Sequence, residues 1–233
     1  RRVRHGRGRL WKLEIERAKA AWVKSAPEPM NQAARLAQDL REGRAQLSPR
    51  QLFEYARGRD AYLSDAALTA LARDSASWTP ESVRSLADRD RVWALVALRR
   101  VDLHEEKWVR LLLDDSDPEV RFECLRWIAD AVFTSFSADV ERMLTQPDLD
   151  YRLFEAALAT RNTLSGQPGA AGITNTEVLL EHITNSVTPA RLKGYALRLA
   201  PASHPKITVP LLRKLLAVAD PILSLEVVRN LAS

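Results

Sequence analysis

One helix-opening phrase recurs along the second half of this 233-residue chain, and it constrains the fold more than any bulk property. At Asp117, Pro118, Glu119, Val120 and Arg121, the Asp can accept from an orphan backbone N–H, the Pro fits a first helical turn, and apolar residues follow at helical spacing. Related starts stand at Asp148, Leu149, Asp150, Tyr151 and Arg152, at Thr188, Pro189, Ala190 and Arg191, and at Asp220, Pro221, Ile222 and Leu223. Counted from the first residue of each, the intervals are 31, 40 and 32 residues. Each interval holds two short helices. Units of that size cannot close a core alone, so they must stack on their neighbours.

The rest of the chain reads the same way from about Met30 onward. Ser48 with Pro49, and Thr79 with Pro80 and Glu81, are helix starts of the same capped kind. Apolar periodicity predicts further helices at Ser64 to Arg73, Asp90 to Arg100, His104 to Leu113, Asp117 to Ala131, Ser137 to Thr145 and Leu149 to Arg161. Four more are expected at Asn175 to Ile183, Pro189 to Leu199, Ile207 to Val218 and Ile222 to Leu231. The long irregular stretch from Asn162 to Asn175, with Gly166, Gly169 and Gly172, reads as a loop inserted in the longest interval. The expected class is all-α, a right-handed α-α superhelix.

The Asp-Pro-x-Val-Arg start resembles a HEAT-type repeat, over roughly Glu28 to Ser233 and most clearly from Asp90 onward. The resemblance implies capping and inter-repeat hydrogen-bonding roles for Asp117, Arg121, Asp148, Arg152 and Asp220, with Ser224 standing where Arg is expected. Two domains follow: residues 1–25 as a basic N-terminal segment or linker, and 26–233 as a HEAT-like helical repeat domain. Gly8 to Ile15 alternates partly with a period of two, which fits a strand, while helix from Leu10 through Val23 stays open. The Gly-Arg-Leu-Trp-Lys-Leu string is similar to the closing strand of a β-propeller. Propeller, HEAT-like helices and a cytochrome c-like domain follow in that order in large membrane-bound dehydrogenase-like proteins of planctomycete-type bacteria. Arg121 to Asp130 and Ser224 to Ser233 are similar to that family as well. The resemblance implies a periplasmic or secreted location and neighbouring domains of the same chain, or other proteins, as partners. With no initiator Met and no apolar leader, the sequence is expected to be a segment of a longer chain.

Charge argues against nucleic acid as a partner. The net charge is +5, yet residues 1–24 hold nine Lys or Arg against Glu14 and Glu16, so the remainder is slightly acidic. Between Val101 and Asp150, five basic side chains face thirteen Asp and Glu. A groove that follows phosphates needs clustered cations in the folded body. No run of 18 apolar residues exists to span a bilayer.

Candidate chemistry fails on spacing. His104, Glu105, Glu106, Lys107 and Trp108 begin like a zinc-protease helix, but Trp108 occupies the second ligand position. Asp115, Asp117 and Glu119 alternate like a calcium loop, with Val120 where Gly is needed and Arg126 where a bidentate Glu is needed. Ser165 to Gly172 lacks the Lys and Ser/Thr of a phosphate loop. Cys124 is the sole cysteine, followed by Leu125, Arg126 and Trp127, so neither a disulfide nor a haem-attachment motif exists within the chain. His5, His104, His182 and His204 are scattered. Trp127 and Asp130, three apart on one helix beside Arg126, draw a crude version of the constellation found in HEAT-like alkylpurine DNA glycosylases. Helix packing for Trp93, Trp108 and Trp127 is the competing reading. The expectation is a non-catalytic scaffold, spacer or protein-interaction module with no cofactor and no metal, a HEAT-like DNA-binding protein or glycosylase being the alternative.

Overall fold

The computed structural model describes the backbone at residues 2–5 and 8–11, and residues 31–166 and 176–232 with their side chains, that of Asp88 excepted. At the N-terminus, β1 (Arg2–His5) pairs antiparallel with β2 (Gly8–Trp11), Val3 opposite Leu10. The strand expected from Gly8 is present from Gly8 to Trp11, and Lys12 to Ile15 lie outside the described residues. The helix considered from Leu10 through Val23 falls otherwise outside the described residues, as do Gly169, Gly172 and most of the glycine loop.

Thirteen α-helices make up the rest of the described fold: α1 (Gln32–Arg41), α2 (Pro49–Ala56), α3 (Ala61–Asp74), α4 (Pro80–Arg84), α5 (Asp88–Val101), α6 (Glu106–Leu112), α7 (Pro118–Ala131), α8 (Ser137–Met143), α9 (Tyr151–Leu164), α10 (Thr176–Thr184), α11 (Ala190–Leu199), α12 (Val209–Leu216) and α13 (Pro221–Leu231). The odd-numbered helices pack in sequence, each on the next. From α4 onward each even-numbered helix packs on the odd-numbered helix that follows it. The result is an all-α domain of sequential helix pairs, with one row of longer helices backed by shorter ones.

Why these segments are helices is visible at their starts. Ser48 and Thr79 form capping boxes with Gln51 and Ser82, each followed by Pro. Asp60 opens α3 by accepting from the Tyr62 and Leu63 amides, which places the start three residues before the apolar run at Ser64. Asp117 Oδ1 accepts from Glu119 N at 2.9 Å and Asp220 Oδ1 from Leu223 N at 2.8 Å. The expectation for Asp148 is corrected: α9 is capped by Asp150, whose Oδ1 accepts from Leu153 N at 2.8 Å. Leu149 N donates instead to Gln146 O, and the fully buried Leu149 side chain closes the turn behind α8. Asp148 therefore lies before the helix.

A common register runs through the row. Counting from the residue before each odd-numbered helix from α3 on, the seventh position is Ala67, Ala94, Cys124, Ala157, Ala196 and Val227, all wholly buried. The eighth is Leu68, Leu95, Leu125, Leu158, Leu197 and Val228. Small residues at the seventh position let helix backbones approach, and aliphatic ones at the eighth fill the joint to the next helix. The joint between α11 and α13 shows how close: a Cβ added to Gly194 would sit 3.0 Å from Leu223 Cα. One turn is strained. Val132, just past α7, has φ 53°, the sole non-glycine residue with positive φ among those described.

Candidate interaction surface

Side chains that cross from one helix to the next odd-numbered helix define one surface of the row. The second, fifth and eighth positions of α7 face α9: the Arg152 guanidinium lies 3.9 Å above the Phe122 ring and pairs with Glu119, and Thr160 Oγ1 donates to the Leu125 carbonyl at 3.2 Å. Similar bonds link other joints. Arg57 pairs with Asp90, Arg99 donates to Asp130 at 3.0 Å, and Arg73 donates to the Leu40 and Arg41 carbonyls. These partners stand 31 to 35 residues apart, one repeat interval.

Arg152 thus makes an inter-unit contact, while Arg121 does not. Its buried Nε has no hydrogen-bond partner among the described residues, and the side chain borders a recess lined by Asp114, Asp115 and Asp148. The role expected of Arg121 falls to the fourth residue of α5. Arg91 Nη2 donates to Asp115 Oδ1 at 2.9 Å, and the same carboxylate oxygen accepts from Asp117 N. Both side chains are about nine-tenths buried, so this pair is shielded from solvent and joins α5 to the start of α7. The signal for it was an Asp two residues before a capping Asp and an Arg 24 residues earlier, which no single motif displays.

Between α2, α5 and α7 the surface opens into a groove of about 470 Å³ lined by Arg57, Arg89, Val92, Trp93, Asp117 and Glu119. Val92 and half-buried Trp93 offer an apolar floor, with cations on the α2 and α5 side and carboxylates on the α7 side. Further along the row, Tyr151 meets Tyr195 edge-on at 5.3 Å, and the Arg198 guanidinium stacks 4.6 Å from the Tyr151 ring. Burial, aided by Glu155, holds the Tyr151 hydroxyl above its ordinary pKa. Such a face suits non-covalent contact with a chain that carries apolar and charged groups of both signs.

The remaining candidates are dispersed or occupied in packing. Trp127 is completely buried, its indole N–H donating to the Leu103 carbonyl at 2.6 Å, and Asp130 is held by Arg99. A side chain so placed cannot stack on an exposed base, and the two do not form a shared site. Trp108 is buried as well, whereas Trp93 reaches the groove. Asp115, Asp117 and Glu119 do not converge: the first two carboxylates bond helix-start amides and Glu119 pairs with Arg152. No group of three His, Cys, Asp or Glu is placed to hold a metal ion among the described residues. Burial, with Asp115 adding, pushes the Cys124 thiol well above its ordinary pKa, which keeps it protonated in the core. His182 is edge-on to Phe154 at 5.7 Å, and burial, reinforced by Arg161, lowers its pKa. His104 lies in the turn before α6, its amide donating to Asp102, and the His5 side chain is outside the described residues. No helix among the described residues is long and apolar enough to cross a membrane.

Comparison with known proteins adds no relative: no protein-family model, no curated protein and no solved structure matches the chain.

Proposed function

We propose that this chain is a non-catalytic interaction scaffold, a HEAT-like right-handed solenoid whose stacked helix pairs present a fixed surface to a protein or to neighbouring domains of a larger, dehydrogenase-like bacterial protein. The observation that carries the reading is the shared register of six odd-numbered helices, with side-chain bonds crossing successive joints at one repeat interval. Packing of that kind fixes helix positions against one another, so the partner meets a preformed surface and loses little affinity to ordering the scaffold. The groove floored by Val92 and Trp93 is the contact point assigned to the partner, with Arg57 and Arg89 on one side and Asp117 and Glu119 on the other setting its orientation.

The test is site-specific photo-crosslinking in cells of the source organism. A photoreactive residue placed at Arg89 or Val92 is expected to yield discrete protein adducts, while one at the exposed Arg50 on α2, outside the groove, yields none. Nucleic-acid adducts from the groove, or equal labelling from both positions, overturn the reading.

A further inference from the structure

Charges along the interaction surface are not balanced. Arg57 pairs with Asp90, Arg99 with Asp130 and Arg152 with Glu119, so each of these cations is neutralised within the chain. Two further carboxylates are engaged as well, Asp117 accepting from the Glu119 amide and Glu155 from the Tyr151 hydroxyl. Arg89 differs from all of them. It stands exposed in the first turn of α5 and lines the groove beside Val92 and Trp93, with no hydrogen bond or ion pair among the described residues. Further along the row, Arg198 lies on the Tyr151 ring and likewise has no ion pair among the described residues. Once the internal pairs are set aside, the charge this surface has left to offer is positive.

We propose that the groove between α2, α5 and α7 takes an acidic segment of another protein, an apolar side chain resting on Val92 and Trp93 while a neighbouring Asp or Glu pairs with Arg89. The inference rests on the scaffold reading and names the chemistry of the partner at that groove. A recess of about 470 Å³ has the size that holds a few side chains. The Arg89 guanidinium presents a planar fork that meets a carboxylate through two parallel N–H···O bonds. Asp117 and Glu119 on the α7 side repel a second acid there, so the segment lies with its carboxylate toward α5. A nucleic-acid strand fits poorly, because its closely spaced phosphates would run onto those two carboxylates. Residues 1–24 of this chain, with nine Lys or Arg against two Glu, carry the wrong sign for Arg89, which leaves another protein as the occupant.

Panning a random short-peptide library against the full chain tests it, with affinities of the selected peptides then measured by fluorescence anisotropy across a salt series. Enriched peptides are expected to join Asp or Glu to an aromatic or large aliphatic residue and to bind more weakly as salt rises. Arg89→Glu, with helical content retained, is expected to weaken them about fivefold or more, while the same charge reversal at exposed Arg50, outside the groove, leaves affinity unchanged. Peptides with Lys in place of the acid are expected to lose binding to the parent chain and to regain part of it with Arg89→Glu. Enrichment of basic or purely apolar peptides, no enrichment, or affinity indifferent to Arg89→Glu overturns the proposal. If the photoreactive residue at Val92 still yields protein adducts in that case, the scaffold reading stands and only the acidic partner falls; if it yields none, both fall.

Discussion

Helices α7 and α13 begin alike and end in opposite surroundings. Each opens with a capping Asp and a first-turn Pro, each buries its seventh residue completely, and each carries an aliphatic eighth residue. Leu125 disappears beneath α9, whereas Val228 faces out. Position within the row, and not residue type, decides which apolar side chain is core. A stacked fold therefore makes covered and uncovered apolar positions from one pattern, and the difference is whether another helix lies over them among the described residues.

That contrast is open to direct test. The largest effect is expected at Leu125→Ala, which should cost about 2–5 kcal/mol in denaturant unfolding, while Val228→Ala should stay within about 0.5 kcal/mol. Similar losses at both would break the comparison. Gly194→Ala sharpens it at the last covered joint: alanine normally stabilises a helix interior by about 1 kcal/mol over glycine, yet here the added methyl meets Leu223 backbone, and a loss of about 1–3 kcal/mol is expected. A raised melting temperature would mean that α11 and α13 stand further apart than described. Among the caps, Asp117→Ala and Asp150→Ala should each lower stability by about 0.5–2 kcal/mol, with Asp148→Ala within about 0.5 kcal/mol of the parent. Reversal of the last two would return the start of α9 to Asp148.

The smallest effect concerns His182. Its folded pKa is depressed, chiefly by burial, so the unfolded chain takes up its proton first as pH falls. The stability owed to the neutral imidazole is complete above the unfolded value of about 6.5 and declines as pH drops from there toward the folded value. His182→Gln should flatten the stability profile in that interval. An unaltered slope would assign the acid sensitivity to other groups.

Helix existence was legible because the chain punctuates itself: Ser48, Thr79, Asp117 and Asp220 each precede a Pro and an apolar run, and all four open helices. Boundaries failed where two acceptors competed. Asp148 and Asp150 look equivalent in one dimension, and only the burial of Leu149 between them decides which reaches an orphan amide. The α3 start was missed for a related reason, since Asp60 has no Pro behind it and Tyr62 is exposed. The surface was less legible still. Trp93, Trp108 and Trp127 look alike as letters, yet the first reaches the groove and the other two pack inside. The Arg91–Asp115 pair depends on an approach between helices that neither partner's local sequence announces.

Val132 gives one joint of the row a different mechanical character. A β-branched residue held in the left-handed region carries about 1–2 kcal/mol of backbone strain, and what holds it there is buried Phe133 and the Phe136 ring 6.0 Å from it. Opening the turn releases that strain, so separation of the α7 and α8 ends is assisted in a way that no other non-glycine turn described here can match. The amide of Phe133, bonded to the Ile128 carbonyl at 3.0 Å, is the backbone group that opening of this turn would first expose to solvent.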